Sequence, residues 1–138
     1  LHALFRSDPT GGFVTGGGWF TDPATGSKAH FGFNPKYQKN TTIPKGETEF
    51  KLSGITFKST THDWLVINGT KAQFKGSGTI NGTGDYNFLV TVIDSSPDKI
   101  RIRIWNLAGQ VIYDNQMGAS DDAIPNTAIG GGSIVIHK

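Results

Sequence analysis

Five aspartates are the residues whose type and spacing best suit a chemical role. Asp94 and Asp98 flank Ser95-Ser96-Pro97, and Asp114 precedes the neighbouring pair Asp121 and Asp122. Calcium takes carboxylate and carbonyl oxygens, and loops rich in Asp, Asn and Gly supply both. A structural calcium is therefore the candidate cofactor, with the Asp121-Asp122 loop the first choice. Neither segment follows an EF-hand or repeat-type calcium pattern, and aspartate also starts turns and caps its own backbone.

A second set could bind a ligand. Trp105 shares its strand parity with Arg101 and Arg103, opposite Ile100, Ile102 and Ile104. An exposed indole beside two guanidiniums is a contact surface, unless another segment of the chain covers that face. Trp19, Trp64, Tyr37, Tyr86 and Tyr113 complete the aromatic residues that could stack on a sugar, although Trp64 lies in an apolar run that reads as core. Lys71, Lys75, Lys99, Arg101 and Arg103 would form one basic stripe if their strands are neighbours. Such a stripe could meet an acidic polysaccharide, teichoic acid or nucleic acid, and it is more often the solvated face of a sheet.

The pattern points away from an enzyme, and no catalytic residue is assigned. His2, His30, His62 and His137 are spread without metal-ligand spacing, and there is no cysteine. His62-Asp63 with Ser59 or Ser53 supplies the residue types of a triad, but a triad is defined by geometry. No paired-carboxylate motif, nucleophile elbow or phosphate loop occurs. The glycine triplets Gly16–Gly18 and Gly130–Gly132 lack the Lys-Ser/Thr of a phosphate loop.

These residues must be positioned by strands. From Lys71 to Gln116 apolar and polar residues alternate, which marks a sheet with one buried face. Ala72 and Phe74 alternate with Lys71, Gln73 and Lys75, and Tyr86, Phe88, Val90 and Val92 share the face of the best core strand. Asn68-Gly69 and Asn81-Gly82 are the strongest hairpin signals. Gly76 and Gly78, inside a strand pattern, indicate a bulge or a close backbone approach.

Upstream, FVTGGGWF (13–20) and KAHFGFN (28–34) read as strands, 35–43 as irregular, and Pro44-Lys45-Gly46 as a turn. ETEFKLS (47–53) places Phe50 and Leu52 inward. Gly54 separates it from ITFKS (55–59), read as its bent continuation, and HDWLVIN (62–68) reads as a separate central strand. Only Ala119 to Ala123 could hold a helical turn. SIVIHK (133–138) closes the chain, and the first and last strands are expected to pair or lie near each other. The sum is an all-β, two-layer antiparallel β-sandwich of Ig-like or jelly-roll type. It has roughly ten short strands and little or no helix, with a closed barrel as the alternative.

The 138 residues suit one domain, 13–138, preceded by a flexible arm or linker over 1–12. A net charge of +2 does not imply a nucleic-acid partner, and no apolar run is long enough to span a bilayer. No signal peptide is visible at the start. Asn40, Asn68 and Asn81 lie in Asn-x-Thr sequons that also suit ordinary turns.

The order VTGGGWF, KAHFGFN, FKGSGTINGTGDYNFLVTVID, DKIRIRIW, VIYDNQ and GGGSIVIHK resembles a module found near the C-terminus of large secreted bacterial and archaeal proteins. There it often follows PKD-type, HYR-type or other Ig-like repeats. The resemblance runs from Gly12 to Lys138 and rests on turn glycines and core apolar residues. It implies a non-catalytic extracellular accessory module, secreted or on the cell surface, for adhesion, spacing or ligand display, whose partners are neighbouring domains or subunits. Two alternatives stand beside it. One is a self-assembling subunit of an extracellular fibre or tube, docking through residues 1–12. The other is a calcium-dependent carbohydrate-binding module.

Overall fold

The computed structural model describes residues 12–38 and 41–137. The arm expected over 1–12, apart from Gly12, and the Asn40 sequon lie outside the described residues. Within them the fold is all-β and antiparallel, and no helix forms, so Ala119 to Ala123 holds turns and a bend only.

The chain opens with β1 (Phe13–Thr21) and β2 (Lys28–Phe33), followed by the short β3 (Lys36–Tyr37) and β4 (Pro44–Lys45). Lys36–Tyr37 and Pro44–Lys45, expected within irregular chain and a turn, thus form a two-rung ladder. Next come β5 (Thr48–Leu52) and β6 (Ile55–Asn68), a hairpin turned at Ser53-Gly54, where Gly54 has φ +84°. This corrects the expectation of a bent continuation: glycine reverses the chain there, and Glu49 faces Lys58 across the ladder. ITFKS and HDWLVIN are also not two strands. They form one 14-residue strand with register shifts between Ser59 and Thr61 and between His62 and Trp64. Each bulge bends β6 and adds twist.

β7 (Lys71–Ile80), β8 (Thr83–Ile93) and β9 (Lys99–Asn106) continue the meander, and β10 (Val111–Asp114) forms its last hairpin. The β7–β8 turn is Asn81-Gly82, both with positive φ (53° and 80°), as a type I′ turn requires. β11 (Thr127–Ala128) pairs with the start of β9, and β12 (Gly131–His137) returns to pair with β1, the predicted union of first and last strands.

The twelve strands make one open sheet in the order β10-β9-β8-β7-β6-β5-β2-β1-β3-β4, with β11 and β12 attached off this path. It is not a closed barrel. The sheet folds over so that its halves pack face to face: Phe33 on β2 meets Phe74 on β7 with ring centroids 5.1 Å apart, and Phe50 on β5 meets Tyr113 on β10 at 4.8 Å. The core between them holds Phe20, Phe57, Phe88, Ile100, Ile104 and Ile134, each under 2–3% exposed. Gly76 and Gly78 serve this packing. A Cβ on Gly78 would lie 2.3 Å from the Lys58 carbonyl oxygen and 2.5 Å from the Phe57 ring, so glycine lets Phe57 and Phe88 meet edge to face.

The edges of the folded sheet are tied by side chains. Tyr113 Oη donates to Asp22 Oδ1 at 2.8 Å, joining β10 to the β1–β2 loop. The Tyr37 hydroxyl donates to the Leu65 carbonyl and accepts from the Leu65 N–H, pinning β3 to β6. Ile134 N–H donates to Asp98 at 2.8 Å and Ile136 N–H to Asp94 at 3.0 Å, so two carboxylates of the β8–β9 connection satisfy the outer edge of β12.

Candidate functional site

The face of Arg101, Arg103 and Trp105 is covered by the chain itself. After β10 the segment 115–126 crosses the outer face of β7 and β9, held by side chains that sequence alternation would send to solvent. Arg101 is 2% exposed and makes a bidentate pair with Asp114, through Nε at 3.1 Å and Nη2 at 2.8 Å. Its guanidinium also donates to the carbonyls of Ala119 and Ser120. Gln73 donates to the Asp121 carbonyl at 2.8 Å, and Lys71 to that of Asp122 at 3.3 Å. Of the predicted basic stripe, Lys71, Arg101 and Arg103 therefore clamp this loop. Trp105 is half-buried, with the Arg103 guanidinium 4.7 Å and the Lys75 ammonium 5.7 Å from its ring. Lys75 also pairs with Asp63.

The five aspartates do not converge. Asp94 and Asp98 hold β12, Asp114 is buried against Arg101, Asp121 reaches Arg103 at 3.5 Å, and Asp122 is exposed. Among the described residues no group of three His, Asp or Glu side chains could hold a metal. In the loop for which the ion was expected, Arg101 holds Asp114 and Arg103 reaches Asp121.

The triad residue types are separated by strand parity. His62 points inward, 3% exposed, with its Nε2 2.8 Å from Thr48 Oγ1 and its ring against Phe74 and Phe88. Burial drives its pKa down to about 4, against a smaller upward pull from Asp63. Asp63 sits in the bulge facing Lys75, and Ser59 Oγ accepts from the Thr48 N–H. Tyr113 is likewise structural: burial and the bond to Asp22 raise its pKa far above the ordinary value. Trp64, expected in the core, is half-buried because the bulge at Asp63 turns it off the inner face. The Asn81 side chain is consumed by the turn, accepting from Thr56 N–H and donating to the Gly54 carbonyl.

A different surface forms an open site. A groove of about 600 Å³ crosses the outer face of β1, β2 and β5, lined by Gly16, the stretch His30 to Asn34, Glu47, Glu49 and Lys51. Its floor is bare backbone. Gly16 and Gly32 line it; in register with Gly32 stand Glu49 on its rim and the exposed Gly17 beside it. A Cβ on Gly17 or Gly32 would meet nothing closer than 3.9 Å, so both positions open to solvent and neither has a positive φ that demands glycine. One row along are Trp19, His30 and Lys51. Trp19 is turned aside, with the Lys28 ammonium 4.2 Å from its ring and Gly130 and Gly131 packed on it. The polar rim is thus His30, Lys51, Glu49 and Glu47, with Lys51 Nζ 3.1 Å from Glu49. The Asn34 side chain fixes that end by accepting from the Glu47 N–H at 2.7 Å.

Sequence reasoning did not single out this groove. The available signal was a glycine at an outward position of each of two strands, Gly17 and Gly32, where a solvent-facing side chain is usual. No protein-family model, curated protein or solved structure matches the chain.

Proposed function

We propose that this chain is a non-catalytic β-sandwich module of a secreted or surface-attached protein and that its task is ligand display through the β1–β2–β5 groove. The observation that carries the reading is the floor of that groove. Glycine inside a strand costs roughly 0.5–1 kcal/mol relative to alanine, and at Gly17 and Gly32 no turn, close approach or positive φ accounts for it. An open trough of exposed peptide is what the two glycines provide. The placement outside the cell rests on the order of motifs that resembles modules of large secreted proteins.

The test is a groove-filling variant. Gly32→Leu puts a side chain over the trough without backbone strain, and its melting temperature is expected to equal or exceed that of the parent. Fluorescently labelled protein is incubated with washed bacterial and archaeal envelope preparations. Retention of the parent and its loss in Gly32→Leu is the expected result. Equal retention of both, or of neither, overturns ligand display through this groove.

One observation favours a second reading, a self-assembling fibre subunit. β10 ends the strand order, and exposed apolar side chains lie on it (Ile112), on the turn before it (Leu107) and on the loop after it (Met117, Ile124). An unpaired edge with apolar neighbours is a template for strand addition. Sedimentation of the full chain, of a chain lacking residues 1–11 and of Ile112→Lys separates the readings. Concentration-dependent oligomers lost in both variants support the fibre, and a monomer in all three removes it.

A further inference from the structure

The lining of the groove also restricts what it can hold, and this step rests on the ligand-display reading above. Acid and base stand side by side: Glu49 and Lys51 are 3.1 Å apart, and both remain about half exposed. Glu47 lies on the same rim, two residues from Glu49, and His30 faces Lys51 across the ladder. A phosphate, sulfate or uronate would gain Lys51 but meet two carboxylates. An apolar ligand would cover an ion pair and return no hydrogen bond, which is unfavourable. A hydroxyl donates and accepts at once, so vicinal hydroxyls can bond the Glu49 carboxylate and the Lys51 ammonium together.

The floor adds a shape requirement. With no side chain at Gly17 or Gly32, a flat ring can come down to van der Waals contact with the peptide planes. Neighbouring strands are about 4.8 Å apart, so the groove spans about 10 Å from Gly16 on β1 across Gly32 on β2 to Glu49 on β5. That length accommodates a short run of linked rings lying across the strands. We infer that the groove binds a neutral polysaccharide chain, with Gly32 in its floor, the exposed Gly17 extending the bare backbone beside it, and Glu49, Lys51 and His30 as its hydroxyl contacts.

Native affinity electrophoresis of the full chain tests this. The gels contain soluble β-glucan, mannan, neutral xylan or glycol-free chitin oligomers, with polygalacturonate and dextran sulfate as polyanions. At least one neutral polymer is expected to retard the parent, and the polyanions are not. Gly32→Leu and Glu49→Gln should each weaken that retardation at least tenfold, the second variant being isosteric and safe for folding. Retardation by the polyanions alone, by no polymer at all, or equally in parent and variants overturns the proposal. If envelope retention is lost in Gly32→Leu while every neutral polymer is inert, ligand display stands and the carbohydrate class falls.

Discussion

His62 shows how one buried side chain can set a pH limit on the whole fold. Its folded pKa of about 4 lies below the ordinary 6.5 because the ring is enclosed by Phe74, Phe88 and Thr48. Above pH 6.5 both folded and unfolded chains hold a neutral ring, and this group contributes no pH dependence. As pH falls from 6.5 toward 4, the unfolded chain takes up a proton that the folded chain refuses, so stability drops. Below about 4 the loss levels off at about 3 kcal/mol. Urea midpoints measured between pH 4 and 7 should therefore fall in the parent and be much flatter in His62→Gln. The glycines of β7 act at the same scale. Gly78→Ala forces a Cβ against the Lys58 carbonyl and the Phe57 ring and should cost about 1–3 kcal/mol by denaturant unfolding, whereas Gly32→Leu should cost nothing. Both residues are glycines in strands, and only their surroundings separate them.

Among the elements, β6 and the 115–126 loop decide most. β6 borders β5 with its first residues and β7 with nearly all its length, and its two bulges let one strand serve both halves of the fold. The buried tie of the loop is the Arg101–Asp114 pair, beside the bonds from Gln73, Lys71 and Arg103. Arg101→Met removes the bidentate partner of the buried Asp114 carboxylate, leaving it only Arg103 Nε at 3.9 Å and the Gln116 N–H, and removes the bonds to Ala119 and Ser120. The expected loss is about 3–5 kcal/mol, accompanied by new proteolytic cuts within 115–126. Arg101→Met combined with Asp114→Leu should recover part of the stability and leave the loop loose, which mass mapping of the cuts would show. If single and double variants are equally stable and equally resistant, the clamp is not what holds the loop.

For the molecule as a whole, the sheet is held folded by bonds between elements distant in sequence. Asp94 and Asp98 close the outer edge of β12, and charge-assisted bonds of this kind are among the stronger ones. In Asp94→Ala/Asp98→Ala the Ile134 and Ile136 amides should exchange at least tenfold faster than in the parent while those of β7 are unchanged; unchanged rates at Ile134 and Ile136 would show that the carboxylates do not hold the edge. Much of this fold was legible in the sequence. Alternation identified the inward set Ile100, Ile102, Ile104, Phe50 and Phe74, Asn81-Gly82 marked its own turn, and the pairing of first and last strands was foreseen. The site was not. Parity says that Arg101 leaves the inner face but not that residues 115–126 return to cover it. It puts His62 and Asp63 on opposite faces without saying that His62 is enclosed by Phe74 and Phe88 while Asp63 pairs with Lys75. Spacing put Asp94 with Asp98, which both hold β12, and Asp114 with Asp121 and Asp122, which the fold separates: Asp114 is buried on Arg101, Asp121 reaches Arg103 and Asp122 is exposed. Sequence alone determined what depends on neighbours one or two residues away: which segments are strands, which side of each is apolar, and where the chain reverses. Tertiary structure decided which outward face stays open, because that depends on segments far apart in the chain meeting across strands. It left the bare backbone of Gly17 and Gly32 uncovered and buried Arg101.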